Sequence, residues 1–211
     1  MVETEPTVLI IDDDPAIRRS LSRLLRSVGM DAQLFESIPD FLRAEHPDGP
    51  SCLVLDVNLP GQSGLDLQRE LSATNRQFPI IFITGHGDIP MSVKAMKGGA
   101  IEFLTKPFQD QDLLDAIQFG LARDRERREN DNALRTLKQR FESLTPRERE
   151  IMIHVVQGRL NKQIAGDIGI SEPTVKVHRS NLMRKMKAGS LPDLARMADR
   201  LDLAREKPQP D

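Results

Sequence analysis

Asp12 and Asp13, Asp56, Thr84 and Lys106 are of the types, and stand at the positions, that phosphoryl chemistry needs. The two adjacent acids follow the apolar run Val8-Ile11, Asp56 follows Cys52-Leu55, Thr84 follows Ile80-Ile83, and Lys106 lies just past Ile101-Leu104. Carboxylates gathered in one crevice repel each other by about 4 kcal/mol per close pair at an effective dielectric near 20, so such a cluster needs positive charge. Lys106 supplies one fixed cation. An all-oxygen site with few protein ligands and open water positions favours magnesium, which keeps part of its hydration shell. A carboxylate beside a divalent cation, an ammonium and a hydroxyl can attack a phosphoryl group, because the cations stabilise charge on the transferring oxygens. On that chemistry Asp56 becomes an acyl phosphate. Taken singly, each residue has a plainer reading: Asp12-Asp13-Asp14 as a helix N-cap run, Lys106 as a solvated lysine, Thr84 as a turn cap. Independent surface residues, however, need not each fall just past a separate apolar run.

The elements that must position them are short apolar runs alternating with helix-period segments, the pattern of a parallel sheet covered on both faces. Strands are expected at Val8-Ile11, Ala32-Phe35, Cys52-Leu55, Ile80-Ile83 and Ile101-Leu104, with helices over Pro15-Val28, Ile38-Arg43, Leu65-Ala73 and Ile89-Lys97 and a closing one through Leu113 and Leu121. The fold class is therefore α/β, a doubly wound five-stranded parallel sheet, whose functional groups belong outside the carboxyl ends of the strands. Residues 1–121 make this domain, 122–142 an exposed helical linker of strong helix formers, 143–205 a second, all-helical domain, and 206–211 a disordered tail. Leu134, Leu137, Phe141 and Leu144 form a packing stripe that could dock on either domain or on a second chain.

Composition agrees with two soluble domains: 211 residues, 38% hydrophobic and 29% charged. No run reaches the ~20 apolar residues of a membrane span, and Met1 to Glu5 are too polar for a signal peptide, so a cytoplasmic protein is expected. The single cysteine, Cys52, can form no internal disulfide and reads as small core filler. Net charge is -2, but residues 1–120 hold 18 acidic against 10 basic side chains, whereas 141–211 hold 13 basic against 10 acidic. The two halves thus suit different partners.

In the second half, Thr145-Pro146-Arg147-Glu148 is a capping box with proline at the first helical position. Further helices are expected at Lys162-Ile168, Glu172-Lys187 and from Leu191 to about Ala204. Within Glu172-Lys187, Val175, Leu182 and Met186 share one face and should pack inward. Val177, Ser180 and Arg184 then lie roughly opposite, flanked by Asn181, Lys176 and Lys187. An exposed valine among basic residues suits a major groove, where it can touch a thymine methyl, while Lys176, Arg179, Arg184, Lys185 and Lys187 can reach phosphates or bases. A merely solvated basic helix is the competing reading.

The strings Val8-Leu9-Ile10-Ile11-Asp12-Asp13-Asp14, Leu55-Asp56, Pro60-Gly61, Ile83-Thr84-Gly85-His86-Gly87 and Lys106-Pro107-Phe108 resemble a CheY-like receiver domain over about residues 5–121. That resemblance implies Asp56 as phosphoacceptor and Asp13 as a direct Mg2+ ligand, with Asp12 acting through metal-bound water. It also implies the backbone carbonyl of Asn58 as a further ligand and a cis Lys106-Pro107 peptide. Thr84 and Phe103 would form a switch pair, and the face of the fourth helix and fifth strand a dimer interface; Phe103 also fits plain core packing. His86 either influences hydrolysis of the phosphoryl group or is a surface histidine. Leu144-Thr145-Pro146-Arg147-Glu148-Arg149-Glu150, Asn161-Lys162-Gln163-Ile164-Ala165, Ile170-Ser171 and Thr174-Val175-Lys176-Val177-His178 resemble a LuxR-type helix-turn-helix over about 143–204. This implies a DNA face of Lys162, Thr174, Lys176, Val177, Arg179, Ser180, Arg184 and Lys187, with the last helix as a dimer contact. Together the two halves resemble a FixJ-type response regulator of the two-component systems, a group to which styrene- and toluene-pathway regulators belong. The implied partners are a sensor histidine kinase, promoter DNA, RNA polymerase and, on phosphorylation, a second copy.

One departure is Lys97-Gly98-Gly99-Ala100, with two glycines where related receivers carry alanine then glycine, so a more mobile fourth helix is expected. Two other classes of function compete. An aspartate-nucleophile phosphatase places a second acid two residues after its nucleophile, and here that residue is Asn58, which cannot act as the acid; only slow hydrolysis of the chain's own phosphoryl group is expected. An adaptor binding protein or RNA through the helical domain is disfavoured by its basic groove-facing residues.

Overall fold

The computed structural model describes residues 5–74 and 77–203; the expected disordered tail lies outside them. The chain divides into two compact units, Met1–Arg128 and Glu129–Asp211.

The first unit is built on β1 (Thr7–Ile11), β2 (Asp31–Phe35), β3 (Ser51–Asp56), β4 (Ile80–Thr84) and β5 (Glu102–Thr105). All pair in parallel in the order β2-β1-β3-β4-β5. The central strands β1, β3 and β4 are nearly continuous apolar runs because both faces are covered, whereas the edge strands β2 and β5 are partly exposed; the pleat sorts alternate residues onto the two sides. Leu9, Ile11, Leu53, Leu55, Ile80 and Phe82 enter one core, while Val8, Ile10, Cys52, Val54, Ile81 and Ile83 enter the other. Cys52 is the small filler its place predicted: it is fully buried, and a Cβ added to Gly120 would come within 2.7 Å of its sulfur. Burial pushes its thiol pKa far up, so it stays protonated. The helices of this unit are α1 (Pro15–Ser27), α2 (Ile38–Arg43), α3 (Gly64–Ala73) and α4 (Ile89–Lys97), together with the start of α5 (Asp110–Glu142).

The segment expected as an exposed helical linker is helical, the last part of the 33-residue helix α5, but it is not exposed throughout: Asp124 and Leu137 are buried, one in each unit. Asp124 is the departure in the first unit. Its side chain is fully buried and accepts from Ser51 N at 2.9 Å, at the start of β3, and from Arg128 Nε at 2.6 Å. It also accepts from Arg127 Nη2 at 2.6 Å, and Arg128 reaches back to the carbonyl of Asp48 at 2.8 Å. Asp124→Ala should therefore destabilise the first unit by about 1–3 kcal/mol, because the buried Ser51 N–H loses its acceptor while the two arginines turn to water. Asp124→Asn, which keeps an acceptor oxygen, should lose less. Urea unfolding followed by circular dichroism checks this, and equal midpoints for wild type and the alanine variant would contradict it.

Gly98 explains itself differently from the expectation. A Cβ there would lie 2.5 Å from Gln68 Oε1, and the buried Gln68 amide donates to the carbonyl of Ala95 at 3.1 Å. The glycine admits a side chain from α3 that ties down the last turn of α4, and Gly99, at φ +91, makes the turn beyond.

The second unit contains the rest of α5, then α6 (Pro146–Val156), α7 (Asn161–Ile168), α8 (Glu172–Met186) and α9 (Leu191–Arg200). The leucine stripe finds its partner here: Leu137 and Leu144 are buried with Ile151, Ile164, Val175, Leu182, Met186 and Leu194, and Phe141 packs against them. The Thr145 capping box forms in both directions, with Thr145 N 2.9 Å from Glu148 Oε2 and Glu148 N 3.2 Å from Thr145 Oγ1. Gly169, at φ 69, closes α7.

Candidate functional site

Parallel pairing in register brings the carboxyl ends of the strands level, Ile11 opposite Leu55, Asp56 opposite Ile83 and Thr84 opposite Thr105. Residues up to 94 positions apart meet there. Lys106 Nζ donates at 2.7 Å to Asp12 Oδ2 and at 2.7 Å to Asp56 Oδ2. Asp12 is completely buried, and its other oxygen accepts from Asp14 N at 2.9 Å. Asp13 is exposed, and one oxygen from each of Asp12, Asp13 and Asp56 lies within 4.8 Å of the others. Burial pushes the Asp12 carboxyl above the usual range, and Lys106 offsets only part of that. The same burial draws the Lys106 ammonium down, but its two carboxylate partners outweigh it and hold its pKa up.

This donor set suits a hard divalent cation: three carboxylates, one of them open to solvent, and no nitrogen or sulfur ligand in the cluster. Asn58 and Thr84 complete the rim. The Asn58 N–H donates to Asp56 Oδ1 at 2.9 Å, and its side-chain amide donates to Thr84 Oγ1 at 3.1 Å. Asn58 thus links the acid to the hydroxyl, and the Thr84 hydroxyl donates to the carbonyl of His86 at 3.2 Å. Phe103 is half-buried and packs on the core of that face, 6.3 Å from the Phe82 ring centre. It also lies against the loop after β4: a Cβ on Gly87 would meet the Phe103 ring at 2.8 Å and the Thr84 methyl at 3.0 Å. The Lys106-Pro107 peptide is cis.

Two residues of this rim were not legible beforehand. Gly64, first residue of α3, lies so close to β3 that a Cβ would come within 2.5 Å of the Asp56 carbonyl, which explains why glycine stands there. Arg18, one turn into α1, donates to the carbonyl of Asp12. The apolar stripe of α1 identifies its buried face and says nothing of a polar side chain folding back over the preceding loop.

In the second unit, Val175, Leu182 and Met186 are fully buried, while Thr174, Lys176, Val177, Ser180 and Arg184 are exposed on α8 and Lys162 on α7. Val177 is 59% exposed, an apolar side chain left in water among polar ones. Three expectations need correction. Lys185 does not reach outward: it pairs with the buried Glu148 at 2.7 Å and with the carbonyl of Ser143 at 3.3 Å. Burial opposes the Glu148 charge, but Lys185 and the Thr145 N–H hold its carboxyl below the usual range. Arg179 is half-buried and its guanidinium bonds Asn161 at the start of α7, so it joins the two helices. Lys187 stands beyond the helix, at φ 55 in the left-handed region, so its direction does not follow from helical spacing. Lys176 faces Glu172 at 3.5 Å and Arg184 faces Asn181 at 2.9 Å, both on the exposed surface.

A receiver-type sheet with an acidic rim, followed by a helix-turn-helix unit, defines the response regulators. Sequence families agree along the chain: residues 8–118 match the response regulator receiver domain, and residues 142–198 match the bacterial regulatory proteins of the luxR family. Nodulation protein W of Bradyrhizobium diazoefficiens is 52% identical over 201 residues, covering 95% of this chain and 88% of that protein. The transcriptional regulatory protein FixJ of Azorhizobium caulinodans is 46% identical, covering 94% of this chain and 93% of that one. Among solved structures, the response regulator StyR superposes with a TM-score of 0.85 at 48% identity, covering 93% of this chain and all (100%) of that one. The chain belongs to this family: it is a two-component response regulator with a receiver domain and a LuxR-type DNA-binding helix-turn-helix. Among the described residues no helix is long and apolar enough to cross a membrane.

Proposed function

We propose that the chain is a phosphorylation-gated transcription factor in which Asp56 accepts a phosphoryl group from a sensor histidine kinase and the modified protein binds promoter DNA as a dimer. The observation that carries this is the bridge of Lys106 between Asp12 and Asp56, 2.7 Å to each, beside an exposed Asp13. Asp12, Asp13, Asp56 and the Asn58 carbonyl would hold Mg2+, which when bound neutralises charge on the transferring oxygens. An Asp56 oxygen forms the new P–O bond as the donor's P–N bond breaks, and the departing imidazole takes up a proton. Lys106 holds the Asp56 carboxylate in place and stabilises the negative oxygens of the group it receives. The Thr84 hydroxyl then turns its proton from the His86 carbonyl to a phosphoryl oxygen, drawing the loop after β4 inward and leaving Phe103 to fill the space it vacates. Asn58 in place of an acid leaves the chain's own hydrolysis of that group slow.

Lys162, Thr174, Lys176, Val177, Ser180 and Arg184 form the surface that enters the major groove, with Arg179 bracing the two helices and Lys187 at the margin. Promoter binding brings RNA polymerase to the site, and the protein acts in the cytoplasm. Selection of bound fragments from genomic DNA, with and without acetyl phosphate and Mg2+, tests the whole reading. A discrete set of fragments enriched by the phosphodonor is expected; equal recovery under both conditions would refute gating.

A further inference from the structure

The main chain between the two leading acids has lost its sheet partners. β1 ends at Ile11, and the carbonyl of Asp12 accepts instead from Arg18 Nη1 at 2.5 Å. The Arg18 side chain is only 14% exposed, and its other contact, Nη2 to Glu36 at 3.8 Å, is with a side chain 75% exposed and so contributes little. The Asp12 carboxylate needs no help from Arg18, because Lys106 and Asp14 N already hold its two oxygens. Asp13 is different: it is exposed, and among the described residues no donor holds its carboxylate. Its direction is set by its backbone alone. The carbonyl of Asp12 and the N–H and Cα of Asp13 lie in one rigid peptide plane, so a charge-assisted bond that fixes the carbonyl also fixes where Asp13 starts.

We infer that Arg18 is a positioning residue for the divalent cation: by clamping the Asp12–Asp13 peptide it aims Asp13 into the acidic pocket. The inference rests on the reading of Asp12, Asp13 and Asp56 as a Mg2+ site. Charge and position make opposite predictions. A guanidinium near a cation site repels the ion, so if charge alone mattered, its removal would tighten binding. Groups that orient metal ligands typically contribute about 10–100-fold in metal affinity, so if position matters, removal weakens it.

Arg18→Met keeps the apolar stem on α1 and removes both donor and charge. The chain has no Trp or Tyr, so Mg2+ affinity is best read by titration calorimetry, with the unfolding midpoint of the ion-free protein measured alongside. The expected result is Mg2+ binding weaker by about ten-fold or more in Arg18→Met with an unchanged ion-free midpoint. Arg18→Lys, which restores a donor and a charge, should fall between the two. Affinity equal to or tighter than wild type in Arg18→Met overturns the inference, as does a lysine variant no better than the methionine one, or an affinity loss matched by a fall in ion-free stability. Failure of the wild-type protein to bind Mg2+ would instead sink the underlying metal site.

Discussion

Asp56→Asn protein incubated with labelled acetyl phosphate and Mg2+ stays at background while wild type becomes labelled. The substitution is close to isosteric. Its single amide oxygen keeps one of the two bonds to this group, from the Asn58 N–H, which reaches Oδ1 at 2.9 Å, or from Lys106, which reaches Oδ2 at 2.7 Å, and the amide nitrogen takes the other place. What disappears is the anionic oxygen that attacks phosphorus, and the neighbouring acids are not placed to substitute: Asp12 is sealed from solvent, and the Lys106 and Asn58 N–H bonds that hold Asp56 are made to Asp56 and not to Asp13. Stability should not fall, because the change also removes one of the carboxylates that repel each other in the pocket. Full labelling of this variant would move the acceptor elsewhere; labelling lost together with the folded state would leave the comparison to Asp56→Glu, which keeps an anion at a displaced position and should label far less than wild type.

The second large effect concerns DNA. Alanine at both Lys176 and Arg184 should lower affinity by about 10-fold or more at about 0.15 M salt and flatten the plot of log affinity against log salt by roughly one unit for each phosphate that is no longer neutralised. Both side chains are exposed, and their neighbours, Glu172 at 3.5 Å and Asn181 at 2.9 Å, are surface partners that DNA can displace. Lys185→Ala provides the contrast, since its ammonium is already committed to Glu148. That variant should leave the salt slope alone and destabilise the helical unit instead. The sign follows from the lowered Glu148 pKa: the pair's contribution is present above the ordinary glutamate value of 4.5 and fades as pH falls through the lower folded one. An unchanged slope in the double alanine variant would mean that this face does not meet phosphate.

The contrast between Lys176 and Lys185 also marks how far the sequence could be read. Helical spacing correctly separates buried Val175, Leu182 and Met186 from exposed Val177 and Ser180, because burial of an apolar stripe is a local, periodic property. What lies across from a polar side chain is not periodic. Lys185 meets a glutamate 37 positions earlier, and Arg18 folds back on a loop carbonyl; neither leaves a trace in the pattern. The acidic rim was legible for the opposite reason: Asp12 directly follows an apolar strand and Asp56 and Thr84 end two others, and parallel pairing leaves little freedom in where those ends meet. The leucine stripe was visible as a stripe, but its partner was decided by tertiary packing in the second unit.

Asp124 bears on how such regulators are recombined. The strand whose last residue is Asp56 begins at Ser51, and the N–H of Ser51 is held by a carboxylate three residues past Leu121. A graft that exchanges output modules at Leu121 would strip the acceptor strand of its anchor at the far end, whereas a junction after Arg128 carries the aspartate and both of its arginines along. In this chain the junction that keeps the anchor therefore lies about two helical turns beyond Leu121.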